Sequence, residues 1–486
     1  MERFKSKKKT KKIKNPDNII VLPISKFIDT KFRDYSIHTI TSRGIPSFYD
    51  GLTPVQRFIL KSAESSFEKT LTVVGKSIAS GYHHGNSSLE KAIAKLARPF
   101  GNSMQILEGY GFFGSEVSPE PAAARYTSVK LSSTAAELIK EYDHLNTKED
   151  EGEWNPFWMK VPLGLCSTIV GIAVGYKSTI LPRKLEDIQK YLDGKITKVK
   201  PYFKDFNGEI KRFNNENNAW IISSVITEED RRIKIREIPP IIKYSSAIKK
   251  LDFLFNKYED KIRVINNSNT KVSIDVLYTG NNTQEFNEIK DFLYRSFSVI
   301  VKESITFVKD GKVLVYKEIE DYLDDYKWCL KRLEYYHTQY EKNILTNELA
   351  FNKAKKLYIE FILEKKRTND EIDKFIKTNK FESNVIERLE RMTSRKFTKD
   401  ELEFTNKEIK RFTDELNQKT KDFFKIETAF KKLKDPTLKR GITSKANNVN
   451  LFSVDDIEVI NGITVWNGMD VIEEEQPIHT ELFEES

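Results

Sequence analysis

The sequence predicts an α+β multidomain protein that ends in a long antiparallel coiled coil. Two short helical segments separated by a turn lie within residues 54–97, and β-rich stretches at 219–226, 232–238 and 272–278 alternate with short helical ones. Neither Gly nor Pro occurs between Gly311 and Pro436. Because these two residues are the strongest breakers of regular structure, this last region favours long helices.

Composition limits the class of protein. The chain has 486 residues and a net charge of +9, which is enough for several cores and permits a nucleic-acid partner without requiring one. Its two cysteines, Cys166 and Cys329, are too few for a disulfide framework or a zinc site, and we expect a reducing, cytoplasmic location. No apolar run has membrane-spanning length and no secretory signal is present, so no membrane partner is expected.

A basic arm is expected over residues 1–20. Residues 1–14 carry eight Lys or Arg, and such a run is disordered by self-repulsion. It could lie along a phosphate backbone or act only as a solubilising tail, and the sequence favours neither alternative.

Residues 21–150 are predicted to form a domain built around two helices. Thr53 is a suitable N-cap and Pro54 suits a first helical turn. Arg57 is expected to point away from the packing face of this helix. Ser87 and Glu90 have the spacing of a capping box for a second helix that ends near Ala97. Two short helices joined by a turn are typical of a helix-turn-helix or winged-helix unit.

Two motifs in this domain resemble parts of a nucleotide-binding loop and a zinc site, but neither fits. Gly75-Lys76-Ser77 imitates the end of a phosphate-binding loop, but Thr70 stands where that motif requires glycine, so a P-loop NTPase is rejected. His83 and His84 are adjacent and have no cysteine nearby, which argues against zinc binding. The two histidines could instead donate to a phosphate or accept a proton.

Arg125 and Tyr126 form the candidate nucleophilic site. A tyrosine hydroxyl can attack a phosphodiester, but with a pKa of about 10 it needs a base and nearby cations. Arg125 could supply one cation, in a planar fork that matches phosphate. Alone, the dipeptide is more simply explained as a surface arginine beside a half-buried tyrosine.

Four motifs occur around this dipeptide, in the chain order IPSFYDGLTPVQRFIL, YHHGNSSL, GYGFFGS and AAARYTSVKLS. Their order resembles the breakage-reunion region of type IIA DNA topoisomerases over roughly residues 25–440. YHHG without an intervening proline and the PYFKDFNGEI segment at 201–210 indicate the branch that contains the eukaryotic and T-even-type bacteriophage enzymes.

The resemblance implies roles for individual residues. Tyr126 matches the tyrosine that becomes linked to the 5′ end of the cut strand, and Arg125 matches its catalytic neighbour. Arg43 and His84 match residues beside the scissile phosphate. The DNA-binding positions implied are Arg57, His83, Ser87 and Ile172. No metal ligand is implied in this chain.

Three positions depart from the family pattern. Thr53 stands where the family usually has Lys, and Phe58 where it has a second basic residue. Lys91 replaces the acidic partner of the serine at position 87. The first two differences leave open which DNA contacts the first helix makes. The third leaves the response to quinolones undecided, because Ser87 matches the serine associated with quinolone sensitivity in gyrase.

Residues 151–320 resemble the family's tower domain. The apolar, glycine-containing run around VGIAVG predicts a buried strand and turn. Within it Ile172 matches an isoleucine that wedges between base pairs, with a core residue as the alternative. The lysines of 195–320 could contact a bent duplex or simply be solvated.

Residues 321–440 are predicted to form an antiparallel coiled-coil hairpin, with a compact helical insert at about 366–397. Two arms show three-four apolar spacing. In the family such an arm ends in a globule that forms the exit-gate dimer contact. The apolar residues are Tyr326, Leu330, Leu333, Tyr340 and Ile344 in the first arm, and Leu402, Ile409, Phe412, Leu416, Phe423, Phe430 and Leu433 in the second.

Residues 441–486 are expected to form a disordered acidic tail. After Lys445 the chain has ten Asp or Glu and no Lys or Arg. The tail could mask a basic DNA groove, dock on a basic partner, or only aid solubility.

These features predict the DNA-cleaving and rejoining subunit of an ATP-dependent type IIA topoisomerase that binds double-stranded DNA as a homodimer. Because the chain shows no acidic metal motif and no ATPase motif, Mg²⁺ and ATP are expected to be bound by partner subunits. The alternative is a non-catalytic dimeric protein that binds and bends DNA. The joint presence of Arg43, His84, Arg125 and Tyr126 argues against it, and a nuclease is disfavoured by the missing carboxylate ligands.

Overall fold

A computed structural model describes residues 23–148, 152–214, 218–365, 367–392, 397–438, 459–460 and 463–466. The predicted basic arm at 1–20 lies outside these residues. Within them the chain has a mixed α/β architecture, and no helix of the described part is long and apolar enough to cross a membrane.

The first part of the chain is mainly helical. A continuous run of helix, in which α-helical and π-helical turns alternate, precedes three helices that pack around one core. The bounds are α1 Ile24–Phe27, a π-helical turn Ile28–Phe32, α2 Arg33–Thr39, a second π-helical turn Ile40–Gly44, α3 Pro54–Ser62, α4 Thr70–Ala79 and α5 Asn86–Ala97.

The sequence predicted the start of α3 correctly and the capping of α5 incorrectly. Thr53 caps α3, where Oε1 of Gln56 accepts a hydrogen bond of 2.9 Å from the Thr53 backbone N–H. The predicted capping box of Ser87 and Glu90 is wrong, because α5 already begins at Asn86 and its N-cap is Gly85. Gly75 lies inside α4 rather than in a phosphate-binding loop.

A small antiparallel sheet packs with these helices. Its order is β1-β3-β2, and the pairing of β2 with β3 runs from Leu107↔Leu131 to Tyr110↔Ser128. A long loop between β2 and β3 therefore leaves and re-enters the sheet at one end, and Tyr126 lies in this loop. The bounds are β1 Glu68–Lys69, β2 Leu107–Tyr110 and β3 Ser128–Leu131, followed by α6 Ser133–Lys140.

Two hairpins and two larger sheets occupy the middle of the chain. The five-stranded sheet has the order β15-β16-β12-β7-β6 and the four-stranded sheet the order β10-β11-β9-β8, while β4-β5 and β13-β14 are hairpins. The bounds are β4 Ile169–Ala173, β5 Tyr176–Ile180, α7 Leu185–Leu192, β6 Glu209–Arg212, β7 Ala219–Ser223, β8 Val225–Glu229, β9 Arg232–Glu237, α8 Tyr244–Tyr258, β10 Ile262–Asn266, β11 Ile274–Tyr278, α9 Thr283–Ser296, β12 Ser298–Lys302, β13 Ile305–Lys309, β14 Lys312–Tyr316, β15 Val459–Ile460 and β16 Ile463–Trp466.

The last two strands correct the prediction of a wholly disordered acidic tail. Strand β16 pairs in parallel with β12, and β15 pairs with β16 in the register Ile460↔Ile463. In sequence, Asn461 and Gly462 stand between the two strands, and this pair is strongly favoured in two-residue hairpin loops. The edge of β12 offers unpaired backbone groups that an added strand can satisfy. The rest of the tail lies outside the described residues, and so do the docking and masking roles considered for it.

Two long helices, with two short helices between them in sequence, form the remaining part of the chain. Tyr335 of the first helix stacks on Phe430 of the second at 4.0 Å, whereas Lys355 pairs with Glu401 at 2.6 Å. The two helices therefore run antiparallel along each other. At its base the first helix enters the core, where Tyr322 and Tyr326 donate hydrogen bonds of 2.8 Å to carbonyls of Phe48 and Met159. The bounds are α10 Ile319–Glu364, α11 Asn369–Asn379, α12 Ser383–Glu390 and α13 Lys399–Lys431.

A buried ion pair joins the β4-β5 hairpin to the five-stranded sheet. Arg183, just after β5, binds Glu303 with a shortest distance of 2.7 Å, and both side chains are only 1% exposed. The same carboxylate accepts hydrogen bonds from the backbone N–H of Leu181 at 2.7 Å and from Nε1 of Trp220 at 2.8 Å. Nη1 and Nη2 of Arg183 and these two N–H groups all donate to the Glu303 carboxylate, which offsets the free-energy cost of burying its charge.

We expect Glu303→Ala to lower the free energy of unfolding by about 3 kcal/mol or more, because it leaves the guanidinium of Arg183 buried without a counter-charge. Urea denaturation followed by tryptophan fluorescence measures the loss. The matched control is Glu403→Ala, which removes the exposed Lys407–Glu403 pair and should cost less than about 1 kcal/mol. Equal losses in the two variants would contradict the structural role of Glu303.

Candidate functional site

Arg43 is positioned by a close approach of two backbone segments. It lies in the π-helical turn that ends at Gly44, and a Cβ at Gly44 would lie 2.4 Å from the carbonyl oxygen of Ile172. A Cβ at Gly171 would lie 2.0 Å from the carbonyl oxygen of Gly44. Only glycine permits this contact, so the turn that carries Arg43 rests directly on the strand that carries Ile172.

Arg43 and His84 form a pair. Nη2 of Arg43 lies 2.9 Å from Nδ1 of His84, although 41 positions separate the two residues in sequence. The imidazole also packs edge-on against the buried Tyr82 ring at 5.3 Å and contacts the His83 ring at 4.2 Å. The predicted grouping of Arg43, His83 and His84 is therefore present in the fold.

The pairing determines which proton His84 carries. A guanidinium can only donate, so Nδ1 of His84 must accept and the ring proton lies on Nε2. Burial lowers the pKa of His84, and the charge of Arg43 lowers it further. A neutral imidazole with its N–H directed away from Arg43 is suited to donate to a phosphate oxygen rather than to take a proton.

Tyr126 lies in the loop between β2 and β3, close to the start of β3. Its backbone N–H donates to the carbonyl of Ala123 at 2.9 Å, and the neighbouring Thr127 is buried. The hydroxyls of Thr127 and Thr70 lie 2.7 Å apart, and the Thr70 backbone N–H donates to the Thr127 carbonyl at 3.0 Å. The backbone at Tyr126 is thus fixed while its side chain remains 67% exposed.

Thr70 is a positioning residue that the sequence did not reveal. Its only distinction in sequence was to stand where a P-loop would have glycine. The contact with Thr127 spans 57 positions, and no periodicity links two residues so far apart. Only the fold could identify it.

The four proposed catalytic side chains fall into two pairs. The guanidinium of Arg125 lies over the Tyr126 ring at 5.1 Å from its centroid, and Arg43 binds His84. Within the part of the chain that the structure describes, no hydrogen bond or ring contact joins one pair to the other. Each pair presents a cation beside an exposed or half-exposed group, which is the arrangement needed to hold a phosphodiester.

A cleft of about 340 Å³ separates helix α5 from the segment before Tyr126. Ser87 lies on one side of it, in the first turn of α5, and residues 119–124 line the other side. The helix and the residue after it contribute Lys91, Lys95 and Arg98 to the lining. Glu90 also lines this wall, so three cations and one carboxylate leave it net basic. The other wall leads directly to Arg125 and Tyr126.

Arg57 does not fit the DNA contact predicted for it. Its side chain points into the protein and the residue is only 4% exposed. Nε and Nη2 donate to Asp50 at 2.7 and 3.1 Å, and Nη2 also donates to the Leu52 carbonyl at 3.0 Å. A guanidinium satisfied in this way stabilises the turn before α3 and is not available to a phosphate.

Ile172 is not a core residue, which was the alternative interpretation of this position. It lies in β4, opposite Lys177, and is 54% exposed. An isoleucine that projects from a hairpin beside Arg43 has the position that a base-pair wedge would need. Its role in DNA binding stays a prediction.

The donor set of this site does not suit a magnesium ion. Mg²⁺ prefers carboxylate and carbonyl oxygens, whereas Arg43, Arg125 and His84 offer N–H groups. Within the described residues, no group of three or more His, Cys, Asp or Glu side chains is arranged to hold a metal ion.

Comparison with known proteins identifies relatives of this chain. The family described as the A subunit of DNA gyrase/topoisomerase IV matches residues 43–437. The DNA topoisomerase medium subunit of Enterobacteria phage T4 is 27% identical over 442 residues, which cover 83% of this chain and 98% of that protein. The DNA gyrase A subunit of Spiroplasma citri is 33% identical over 184 residues, which cover 35% of this chain and 79% of that protein.

Two further comparisons cover less of the other protein. The DNA topoisomerase 4 A subunit of Staphylococcus aureus is 26% identical, and the match spans 60% of this chain but only 41% of that protein. The crystal structure of the Plasmodium falciparum topoisomerase II DNA-binding, cleavage and re-ligation domain matches with a TM-score of 0.70 at 20% identity, over 85% of this chain and 65% of that chain. At this identity the structural match concerns the fold.

We expect Arg43→Ala to raise the pKa of His84, because a positive charge beside the ring is lost. The pKa should nevertheless stay below the ordinary histidine value, since burial is the larger cause of its depression. Nuclear magnetic resonance titration of ¹³C-labelled histidine measures the change, with His84→Gln assigning the signal. Arg33→Ala, on the same helical run but paired with Asp34, is the control and should leave His84 unchanged. An unaltered titration in the Arg43 variant would show that the pair does not form.

Proposed function

Because the chain belongs to the family of DNA gyrase/topoisomerase IV A subunits, we propose that it is the DNA-cleaving and rejoining subunit of an ATP-dependent type IIA topoisomerase. The observation that carries this proposal is the exposed Tyr126 on a fixed backbone, with the Arg125 guanidinium beside its ring. A tyrosine used only for packing would bury its ring. The Arg43–His84 pair adds a second phosphate-binding group on the same domain.

In the proposed reaction the Tyr126 hydroxyl oxygen attacks a backbone phosphorus atom. A bond forms between this oxygen and phosphorus, and the bond from phosphorus to the 3′ oxygen breaks. The tyrosine proton passes to water, which reaches the exposed Tyr126 side chain, and the released 3′ oxygen takes up a proton from water. The product is a 5′-phosphotyrosyl ester with a free 3′ hydroxyl. Because the ester retains the energy of the broken bond, the reverse attack by the 3′ hydroxyl reseals the strand without ATP.

The two pairs of side chains have separate parts in this reaction. Arg125 stabilises negative charge on the phosphate that Tyr126 attacks, and the Nε2–H of His84 donates to a phosphate oxygen held by Arg43. Since no contact in the described residues joins the pairs, we propose that DNA bridges them. Two copies of Tyr126, one from each protomer, make a staggered double-strand break.

Mg²⁺ and ATP belong to partner subunits in this proposal. The nitrogen donors at the site do not fit a magnesium ion, so the metal that neutralises the reacting phosphate has to be brought beside Tyr126 by another chain. The ATPase activity likewise resides in a partner. The holoenzyme therefore contains a homodimer of this chain together with ATPase and metal-binding topoisomerase subunits.

While the first duplex is cut, a second duplex passes through the break. The long helices provide the exit for this second duplex. We propose that α10 and α13 form a coiled-coil arm, and that the globule of α11 and α12 at its tip makes the exit-gate contact between protomers. Tyr335 packs against Phe423 and Phe430 along the arm. The two larger sheets would form the tower domain beside the cut duplex.

Tyr126→Phe tests the nucleophile, since it removes only the hydroxyl. In the holoenzyme with Mg²⁺ and DNA, detergent should trap covalent protein on DNA for the wild type and none for this variant, while both bind DNA about equally. The matched control is Tyr110→Phe, because Tyr110 is also exposed and ends the paired strand β2. It should form adduct normally.

Two further outcomes would overturn the assignment. An adduct that maps to another tyrosine would refute Tyr126 as the nucleophile. Robust metal-dependent cleavage by the isolated chain would refute the division of labour with a metal-binding partner. The expected result for the isolated chain is bound DNA with little or no adduct.

Ile172→Ala tests the wedge. Because Ile172 is 54% exposed, the substitution should lower the free energy of unfolding by less than about 1 kcal/mol. DNA bending, measured by fluorescence energy transfer between the duplex ends, should fall, because an apolar wedge stabilises a kink. Val315→Ala alters another exposed apolar residue on a strand and should leave bending unchanged. Normal bending with Ile172→Ala would exclude the wedge.

A further inference from the structure

The loop that carries Tyr126 is held at a second place, far from Thr127. Residues 115–118 form a compact turn, in which the Ser115 backbone N–H donates to the Ser118 carbonyl at 2.7 Å and Oγ of Ser115 accepts from the Ser118 N–H at 3.1 Å. The two central residues of this turn, Glu116 and Val117, are both partly buried. Other residues of the same loop, such as Phe112 and Glu120, are exposed.

Glu116 and Val117 are inserted into a different part of the molecule. Val117 packs against the core beneath the four-stranded sheet, which contains the buried Val272 and Ile274. The Glu116 carboxyl group is partly buried and lies close to Val272, whose backbone N–H lowers its pKa. Its Oε2 is buried and has no hydrogen-bond partner in the described part of the chain. A segment of the cleavage unit is therefore anchored in the sheet of β8 to β11.

The loop between this anchor and Tyr126 is closed by contacts of its own. The Ala122 backbone N–H donates to the carbonyl of Phe112 at 2.9 Å. Gly114 has a φ of +88°, and a Cβ there would lie 2.5 Å from the Pro119 carbonyl oxygen. These contacts connect the anchor to the segment that leads to Tyr126.

From this geometry we infer that Glu116 is a positioning residue, which with Val117 docks the Tyr126 loop on the four-stranded sheet and thereby makes the placement of Tyr126 depend on that sheet. The inference rests on the proposed function for its consequence in cleavage. A sheet that shifts when DNA bends would move the nucleophile with it. In this inference Glu116 acts only through the loop.

The charges around Glu116 make this docking depend on pH. Burial raises the pKa of Glu116, and the nearby Glu237 raises it further, while Lys271 and the Val272 N–H oppose the shift. Glu237 itself accepts hydrogen bonds from the backbone and side chain of Asn207 at 2.7 and 2.6 Å. The docked loop therefore favours protonated Glu116. Docking is strongest below the ordinary carboxyl pKa and weakens as the pH rises through the raised value.

Amide hydrogen exchange of the full-length chain tests the docking without any cleavage. Glu116→Ala should increase exchange in residues 112–124 by on the order of fivefold, because the partly buried side chain beside Val272 is lost. Glu116→Gln keeps the size of the side chain without its charge, and it should show at least wild-type protection. Glu120→Ala alters an exposed carboxylate of the same loop and serves as the matched control. Wild-type protection in Glu116→Ala would overturn the inference.

The holoenzyme tests the consequence for cleavage. Under single-turnover conditions with partner subunits and Mg²⁺, Glu116→Ala should form covalent adduct several-fold more slowly, while its affinity for DNA is unchanged. Glu116→Gln should restore the rate and should lack the decline that the wild type shows as the pH rises. A rate loss of equal size in the Ala and Gln variants would refute a positioning role for the carboxyl group.

The two kinds of failure are distinguishable. If the wild type itself forms no adduct but Glu116→Ala still loosens the loop, the proposed function fails and the docking stands. If the wild type forms adduct and neither exchange nor rate responds to Glu116→Ala, the docking fails alone. Val117→Ala provides a second variant that weakens the same anchor through lost apolar packing, and it should loosen the loop in the same way.

Discussion

The arrangement of the central part of this protein depends on one buried ion pair, between Arg183 and Glu303. A carboxylate that is 1% exposed is tolerated only if donors satisfy it. Here the donors come from the end of β5 and from Trp220 of β7. The hairpin, the five-stranded sheet and the chain that leads into β13 therefore have to assemble together. Neighbouring backbone bonds between Thr179 and Ser304, of 2.8 and 2.9 Å, reinforce the same junction.

That junction is the first of several constraints that lead to the site. It fixes the β4-β5 hairpin, and the hairpin backbone meets Gly44 so closely that no Cβ fits between them. Gly44 follows Arg43, and Arg43 holds His84 in one tautomer. The position of the His84 ring is thus set by packing some distance away. None of these contacts involves residues close in sequence.

Tyr126 is held by a separate set of contacts. Thr70 fixes the backbone on one side, and the anchor of Glu116 and Val117 fixes the loop on the other. Tyr126 and the Arg43–His84 pair are thus positioned by different contacts, although the elements that carry them share one hydrophobic core.

The sequence by itself determined the features that depend on near neighbours. Thr53 and Pro54 predicted the start of α3, the absence of Gly and Pro predicted the long helices, and the motif order led to Tyr126. Only the tertiary structure decided which side chains are buried, exposed or paired. It buried Arg57 against Asp50, exposed Ile172, moved the start of α5 to Asn86 and placed part of the acidic tail on the edge of β12. The physical reason is range: capping and periodicity act over a few residues, whereas burial and ion pairing join segments that sequence spacing does not relate.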